Sequence, residues 1–325
     1  MDQPPSILTN LAFHESRTWR EAVTTICRDG ETPDGLGAWR QAWRLLRLRR
    51  RFAVVVTMAP RPALAYGLLC ALLGLESKQV LVEVFLDAPR PDSLAWRVKT
   101  ALFRRVARRA RGILTNSSAE VGFMARRFGI PEHRLRFVPM YTTISKPAMA
   151  AGNDGTVVSI GRTLRDIDTL LRAAPDFGAP LILVVGRHDP LPEPLPANVQ
   201  VLRDIPIAAG HDLLRRAAVV VVPLLPAERS TGQVVLFEAM AMGKPVVATR
   251  ATGTADYLRP GENGLLVEPG DAPGMAAAVG RVLGDRDLAR RLGAAALQDC
   301  LGPLGVEPYA RRLLAAIREL APPPA

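Results

Sequence analysis

Apolar residues in this chain fall into short unbroken runs set between longer amphipathic stretches. That is the pattern of parallel strands buried on both faces and covered by helices. In the first half, runs at 6–10, 52–58, 79–86, 112–115 and 135–138 predict strands. The stretches 17–28, 36–50, 61–73, 93–111 and 117–128 predict helices. A small, polar segment over 145–155, containing Pro147, Gly152 and Gly155, reads as a linker. The alternation then resumes, with strands at 156–159, 181–185, 199–202, 219–222, 245–249 and 264–267. Helices are expected between them, with a pair at 274–283 and 287–301 and an amphipathic helix at 308–320. The expected organisation is an α/β domain over 1–148, a second over 149–307, and a tail segment over 308–325 that is a candidate to pack back on the first.

Length agrees with two domains, because single cores rarely grow past about 250–300 residues and the chain has 325. With 48% hydrophobic and 22% charged residues it is an ordinary globular composition, not a disordered one. The net charge of +11 is unevenly spread: residues 1–150 hold 24 Lys+Arg against 12 Asp+Glu, and residues 151–325 hold 18 against 19. The first half is thus suited to an acidic partner, such as anionic lipid or a phosphorylated acceptor. Its segment 97–111 is amphipathic, with Leu102, Val106 and Ala110 on one stripe and arginines beside it. Two readings stay open: a helix lying on an anionic membrane surface, or a sheet-covering helix with a solvated basic face. The basic cluster 47–51 extends the same patch. Only 5% of residues are aromatic and no nucleic-acid recognition motif appears, so a nucleic-acid partner is not expected. Cys27, Cys70 and Cys300 show no metal or redox spacing and read as reduced thiols. The opening residues lack a signal-peptide pattern, and the longest uncharged apolar stretch, 63–75, is too short to span a bilayer. The expectation is a cytoplasmic protein, with the inner face of the plasma membrane as a peripheral site.

Candidate chemistry concentrates in the second half. A strand over 219–222 leads through a small-residue loop into a helix beginning near Gly232, Gln233 and Val234. The first amides of a helix lack intrahelical partners and favour anions, and glycine allows close approach. Glu238, about a turn inside, offers a carboxylate that accepts hydrogen bonds from a diol. Taken alone this is a common strand–loop–helix unit with a solvated glutamate. A second site follows the strand at 156–159, where Gly161 precedes Arg162 and Arg165. Guanidinium groups bind phosphate bidentately, and the competing reading is a solvated basic turn. Asp166-Ile167-Asp168 is not read as a metal site: residues two apart on a helix point in different directions, and acids are common at helix starts.

The run 237–249 (FEAMAMGKPVVAT), with 261–267 (GENGLLV), resembles the donor-binding signature of the group 1 (family 4) retaining glycosyltransferases. The resemblance implies the GT-B fold, two Rossmann-like domains facing each other across a cleft. It implies transfer of a sugar, hexosyltransferase-like, from a nucleoside diphosphate sugar to a carbohydrate or lipid-linked acceptor. The setting would be glycan, polysaccharide or glycolipid synthesis, with retained configuration, front-side attack and no metal or other cofactor. Glu238 matches the second glutamate of the family's Glu-x7-Glu motif, which holds the donor ribose. Gly232, Gln233 and Val234 match the backbone that holds the diphosphate, and Arg162 and Arg165 the cations that neutralise it. The motif's first glutamate falls at Ser230, so Ser230, Thr231 or the displaced Glu228 are left as contacts to the donor sugar.

In the first half the family's Gly-Gly loop is replaced by Asn10-Leu11-Ala12-Phe13-His14. Asp87, at the end of the strand predicted over 79–86, lies where the family often places an active-site histidine or acid, and is the catalytic candidate beside Glu238. His14 is a weaker one, and His133, His188 and His211 read as surface residues. Three rivals remain: a sugar-nucleotide 2-epimerase of the same fold, a non-catalytic donor-binding protein, and a nucleic-acid-binding protein.

Overall fold

A computed structural model describes residues 6–11, 13–27, 35–84 and 92–321. The chain divides into two compact units, one formed by Met1–Met140 with Val306–Ala325, the other by Tyr141–Gly305.

The first unit runs β1 (Ile7–Thr9), α1 (Arg17–Ala22), β2 (Val23–Thr25), α2 (Ala38–Leu48), β3 (Val54–Met58), α3 (Pro60–Leu72), β4 (Gln79–Val82), α4 (Leu94–Arg109), β5 (Gly112–Thr115), α5 (Ser118–Phe128) and β6 (Leu135–Phe137). Its strands are all parallel, in the order β2-β1-β3-β4-β5-β6. One element departs from the sequence reading. The helix expected over 17–28 stops at Ala22, and Val23–Thr25 instead pairs with β1 in the register Ile7↔Val23. The β-branched run Val23-Thr24-Thr25-Ile26 explains the switch, since such side chains lose χ1 freedom in a helix and fit a pleated surface. Strand β4 ends at Val82, short of the expected 86.

The second unit runs β7 (Val157–Ile160), α6 (Ile167–Ala173), β8 (Leu181–Val185), β9 (Val199–Arg203), α7 (Ile207–Arg216), β10 (Val219–Val222), α8 (Gln233–Ala241), β11 (Val246–Thr249), β12 (Leu265–Val267), α9 (Ala272–Gly284) and α10 (Arg286–Leu301). Its parallel sheet has the order β12-β11-β10-β7-β8-β9. Strands β10 and β11 are buried at every position, as sheets covered on both faces require. Helix α8 is apolar nearly all round because it is buried too. Against it, α10 comes close enough that a Cβ at Gly293 would overlap the Gly243 carbonyl.

After Gly305 the chain returns to the first unit as α11 (Val306–Leu320). Glu307 accepts from the amide of Arg17 at 2.7 Å and from the Ser16 hydroxyl at 3.1 Å, at the start of α1. Tyr309 meets the Phe13 ring edge-on at 5.7 Å between centroids. Helix α11 is thus bound to the N-terminal segment by both polar and aromatic contacts.

Candidate active site

Strand order in the second sheet reverses between β7 and β10: β8 and β9 lie on one side of β7, and the chain then crosses back to β10. Open parallel sheets bind ligands at the carboxyl ends of strands beside such a reversal. The loops that leave β7 and β10 there carry Arg162, Arg165, Ser230, Thr231 and Gly232. They are stitched together. Leu225 N donates to Leu164 O at 3.0 Å, Asp166 N to Pro223 O at 3.2 Å, and Arg165 forms an antiparallel bridge with Leu224. From β11, Thr249 accepts from Leu224 N at 3.0 Å, and Thr252 Oγ1 donates to Ala227 O at 2.6 Å. Gly253 lies so close to Thr231 that a Cβ would overlap its backbone.

Arg165 is the most distinctive group. Its Nη1 donates to Thr163 O at 2.9 Å, and Nε and Nη2 reach Ile160 O at 3.4 and 3.3 Å. Among the described residues it pairs with no carboxylate, and burial pushes its pKa down to about 10. The guanidinium rests on Gly161, which adopts φ +143°; a side chain there would occupy the same space. A crevice of about 260 Å³ opens at this point, lined by Gly161, Arg162, Arg165, Asp168, Asp189 and Leu225 among others. Asp166 caps α6 by accepting from Thr169 N at 3.1 Å, and Asp189 accepts from Gly186 N at 2.7 Å. Arg162 is exposed and ion-paired to Asp204 at 2.6 Å, and Asp204 also meets Arg187 at 3.3 Å. Sequence reasoning did not single out Asp204; its place at the end of β9 was the one signal available.

Helix α8 is preceded by Gly232 at its N-cap, whose φ of +83° is a left-handed conformation that glycine adopts without strain. The Leu224 side chain packs against that glycine, linking the helix start to the strand bridged with Arg165. Val234 is half exposed, so the first turn is open to solvent, whereas Ser230 and Gln233 are buried and Thr231 is half-buried. Glu238 is not among the crevice-lining residues. Its Oε1 lies 3.1 Å from His211 Nε2, which donates when the carboxylate is ionised. His211, expected at the surface, is instead part-buried, its side chain 22% exposed: on α7 it flanks the buried Gly210, Leu213 and Leu214 and so faces α8.

In the first unit, Asp87 lies outside the described residues. His14 is exposed. Asn10 is buried at the end of β1, donating to Gln41 Oε1 at 2.7 Å and accepting from Met58 N at 2.8 Å, which fills the place expected of a glycine loop. Glu83, not singled out in the sequence, follows β4 directly with a positive φ of 52°. Burial raises its pKa above the usual carboxylate range. No hydrogen bond to its carboxylate is found among the described residues. Strained, desolvated acids at strand ends collect at functional sites.

Two family models match in tandem: Glycosyltransferase Family 4 over residues 11–140, and Glycosyl transferases group 1 over residues 154–285. The chain belongs to the group 1, family 4 glycosyltransferases. The Rhizobium meliloti lipopolysaccharide core biosynthesis glycosyltransferase LpsE is 43% identical over 76 residues, which cover 23% of this chain and 22% of that protein. A D-inositol 3-phosphate glycosyltransferase from Nocardia farcinica is 29% identical over 248 residues, covering 66% of this chain and 53% of its own length. The chain therefore spans about half or less of the length of these curated relatives. Among solved structures, Anabaena Alr3699/HepE in complex with UDP and glucose superposes with a TM-score of 0.65 at 15% identity, covering 97% of this chain and 99% of that one. Sucrose-phosphate synthase from Thermosynechococcus elongatus gives 0.64 at 20% identity, covering 87% and 78%. At these identities the likeness establishes the fold, which is GT-B, built from two Rossmann-like units.

Proposed function

We propose that the chain binds a nucleoside diphosphate sugar on its Tyr141–Gly305 unit and transfers the sugar, with retention, to an acceptor hydroxyl. The acceptor in this reading is a carbohydrate or a lipid-linked carbohydrate, in glycan, polysaccharide or glycolipid synthesis. The observation that carries the reading is the Arg165 guanidinium. It is desolvated, has no carboxylate partner among the described residues, and stands at the strand-order reversal beside the open start of α8. A half-buried cation without a counter-charge carries a desolvation cost, and a diphosphate would supply that counter-charge.

As the glycosidic bond breaks, the anomeric carbon becomes oxocarbenium-like and the leaving diphosphate gains charge. Arg165 and the α8 amides at Gln233 and Val234 stabilise that charge from fixed positions. Arg162 joins them by exchanging Asp204 for phosphate. Glu238, with Oε1 engaged by His211, has its second oxygen for the ribose hydroxyls. In this reading Ser230 and Thr231 are the contacts to the donor sugar, and Asp87 and Glu83 are the acceptor-side acids. The likeness to a protein solved with UDP and glucose supports a uridine nucleotide as the first donor to test.

The test is a thermal-shift screen of UDP-, GDP- and ADP-sugars, since a ligand at about 100 times its Kd stabilises by about 2.7 kcal/mol. The stabilising donor is then incubated with acceptor, and the anomeric configuration of the product is read by NMR. If no nucleotide raises the melting temperature, donor binding is wrong. Binding with no transfer to any acceptor would indicate a donor-binding protein, and a donor converted at C2 would indicate an epimerase.

A further inference from the structure

Helix α2 packs on α3, and α3 on α4, so the three form one layer over a single face of the first sheet. None of the three carries an aspartate or glutamate. Their exposed positions hold Arg40 and Arg47 on α2, and Arg97, Lys99, Arg104 and Arg105 on α4. Large apolar side chains stand among these cations. Trp39 and Trp43, one turn apart on α2, are 63% and 53% exposed; Leu94 and Val98, one turn apart on α4, are 72% and 50% exposed. The α4 residues fully buried are Phe103, Val106 and Ala107, whereas in its first two turns only Trp96 and Thr100 are half-buried, with Arg127 stacked on the Trp96 ring, and Leu94 and Val98 are left exposed. Of the stripe read in the sequence, Val106 and Ala110 face the core, and Leu102 sits at its edge.

The two apolar pairs share one end of the layer. Helix α3 begins just after the carboxyl end of β3, and α2 ends just before β3 begins, so the starts of these helices lie at the carboxyl ends of the strands. Helix α4, which follows β4, starts at that end as well. Trp39, Trp43, Leu94 and Val98 all lie in first or second turns.

We propose that this end of the α2–α4 layer docks on an anionic lipid surface, with Trp39 and Trp43 seated at the headgroup level and Leu94 and Val98 dipping below it. The chemistry selects that partner. Cations with no interspersed acids are drawn to anionic headgroups. Exposed tryptophan and aliphatic stripes on basic helices partition into the interface. A nucleic acid would use the cations and leave the aliphatic stripe in water. A second copy of the same face would be repelled by its like charge. Among the described residues no helix is long and apolar enough to cross a membrane, so the association is peripheral. Docking at the carboxyl ends of the strands, where open sheets take ligands, would hold the acceptor-binding end of this unit against the lipid.

The experiment is co-sedimentation of the full chain with phosphatidylcholine vesicles, with and without phosphatidylglycerol. Quenching of tryptophan fluorescence by brominated lipid is measured alongside. The chain should pellet with the anionic vesicles, release with salt, and show quenching. W39A/W43A should weaken partitioning about tenfold, from the area each indole buries. R97Q/K99Q should cost about fivefold per charge removed. All four sites are exposed, so the melting temperatures should match the parent, and a variant that melts early is replaced by W39S/W43S or L94S/V98S. Equal binding to pure phosphatidylcholine, no binding to either vesicle, unchanged binding by both variants, or release of the vesicles by a short RNA would each overturn the proposal. Nucleotide-sugar binding is measured on the same samples, so loss of the lipid interaction with donor binding intact refutes this inference alone.

Discussion

Replacing Arg165 with glutamine separates ligand binding from scaffolding. The guanidinium is held by carbonyls alone, and burial lowers its pKa from the ordinary arginine value to about 10. A shift of that size corresponds to about 3 kcal/mol of penalty on the charged form. Because the pKa is depressed yet still above neutral, the folded protein carries that penalty throughout the physiological range and sheds it only above pH 10, between the folded pKa and the ordinary arginine value. Arg165→Gln removes the penalty together with three hydrogen bonds worth about 1 kcal/mol each. The two nearly cancel, so the unliganded protein should melt within about 1 kcal/mol of the parent. Donor binding has no such cancellation: losing charge-assisted bonds worth about 1.5–3 kcal/mol should raise the Kd for UDP or GDP by roughly 10- to 150-fold. Calorimetric titration gives the affinity and thermal melting without ligand gives the stability. An early-melting variant with undiminished nucleotide affinity would show that Arg165 braces the 161–164 turn and that the phosphate assignment is wrong.

Gly293→Ala should destabilise the second unit by about 1–3 kcal/mol in thermal melting, because the added methyl meets the Gly243 carbonyl where α10 crosses α8. Glu83→Gln should raise the melting temperature near neutral pH. The folded pKa of Glu83 is raised, so folding stability is lost as pH climbs through it, and the variant's advantage should fade below the ordinary carboxylate pKa of about 4.3; a gain that persists in acid would contradict the assignment to burial. His211→Ala should weaken donor binding by about fivefold, equivalent to about 1 kcal/mol, the worth of one ordinary hydrogen bond. It does so by freeing Glu238 from the imidazole that orients it; unchanged donor KM would show that the contact is incidental.

The parallel sheets were legible because Val219–Val222 and Val246–Thr249 are unbroken β-branched or apolar runs, bounded by glycine, proline and polar loops. The donor segment was legible because its motif is local: loop, helix start and Glu238 follow one another along the chain. What the sequence hid depends on neighbours supplied by strand order. Asp204 reaches Arg162 only because β9 and β7 flank β8, and His211 reaches Glu238 only because α7 packs on α8. The 17–28 segment misled because its first six residues are helical and its amphipathic character continues into β2. Charge alone also could not say which side of α4 faces water; that follows from the burial of Phe103, Val106 and Ala107.

Because α11 belongs to the first unit, that unit is assembled from two stretches of chain with an entire unit threaded between them. During synthesis the Tyr141–Gly305 unit has its whole sequence before the first does. Until Glu307 and Tyr309 emerge, the amide of Arg17 lacks the Glu307 carboxylate and the ring of Phe13 lacks its contact with Tyr309. Maturation of the N-terminal unit is therefore tied to completion of translation, and a stop codon placed after Gly305 would release a chain whose second unit is whole and whose first is unsealed.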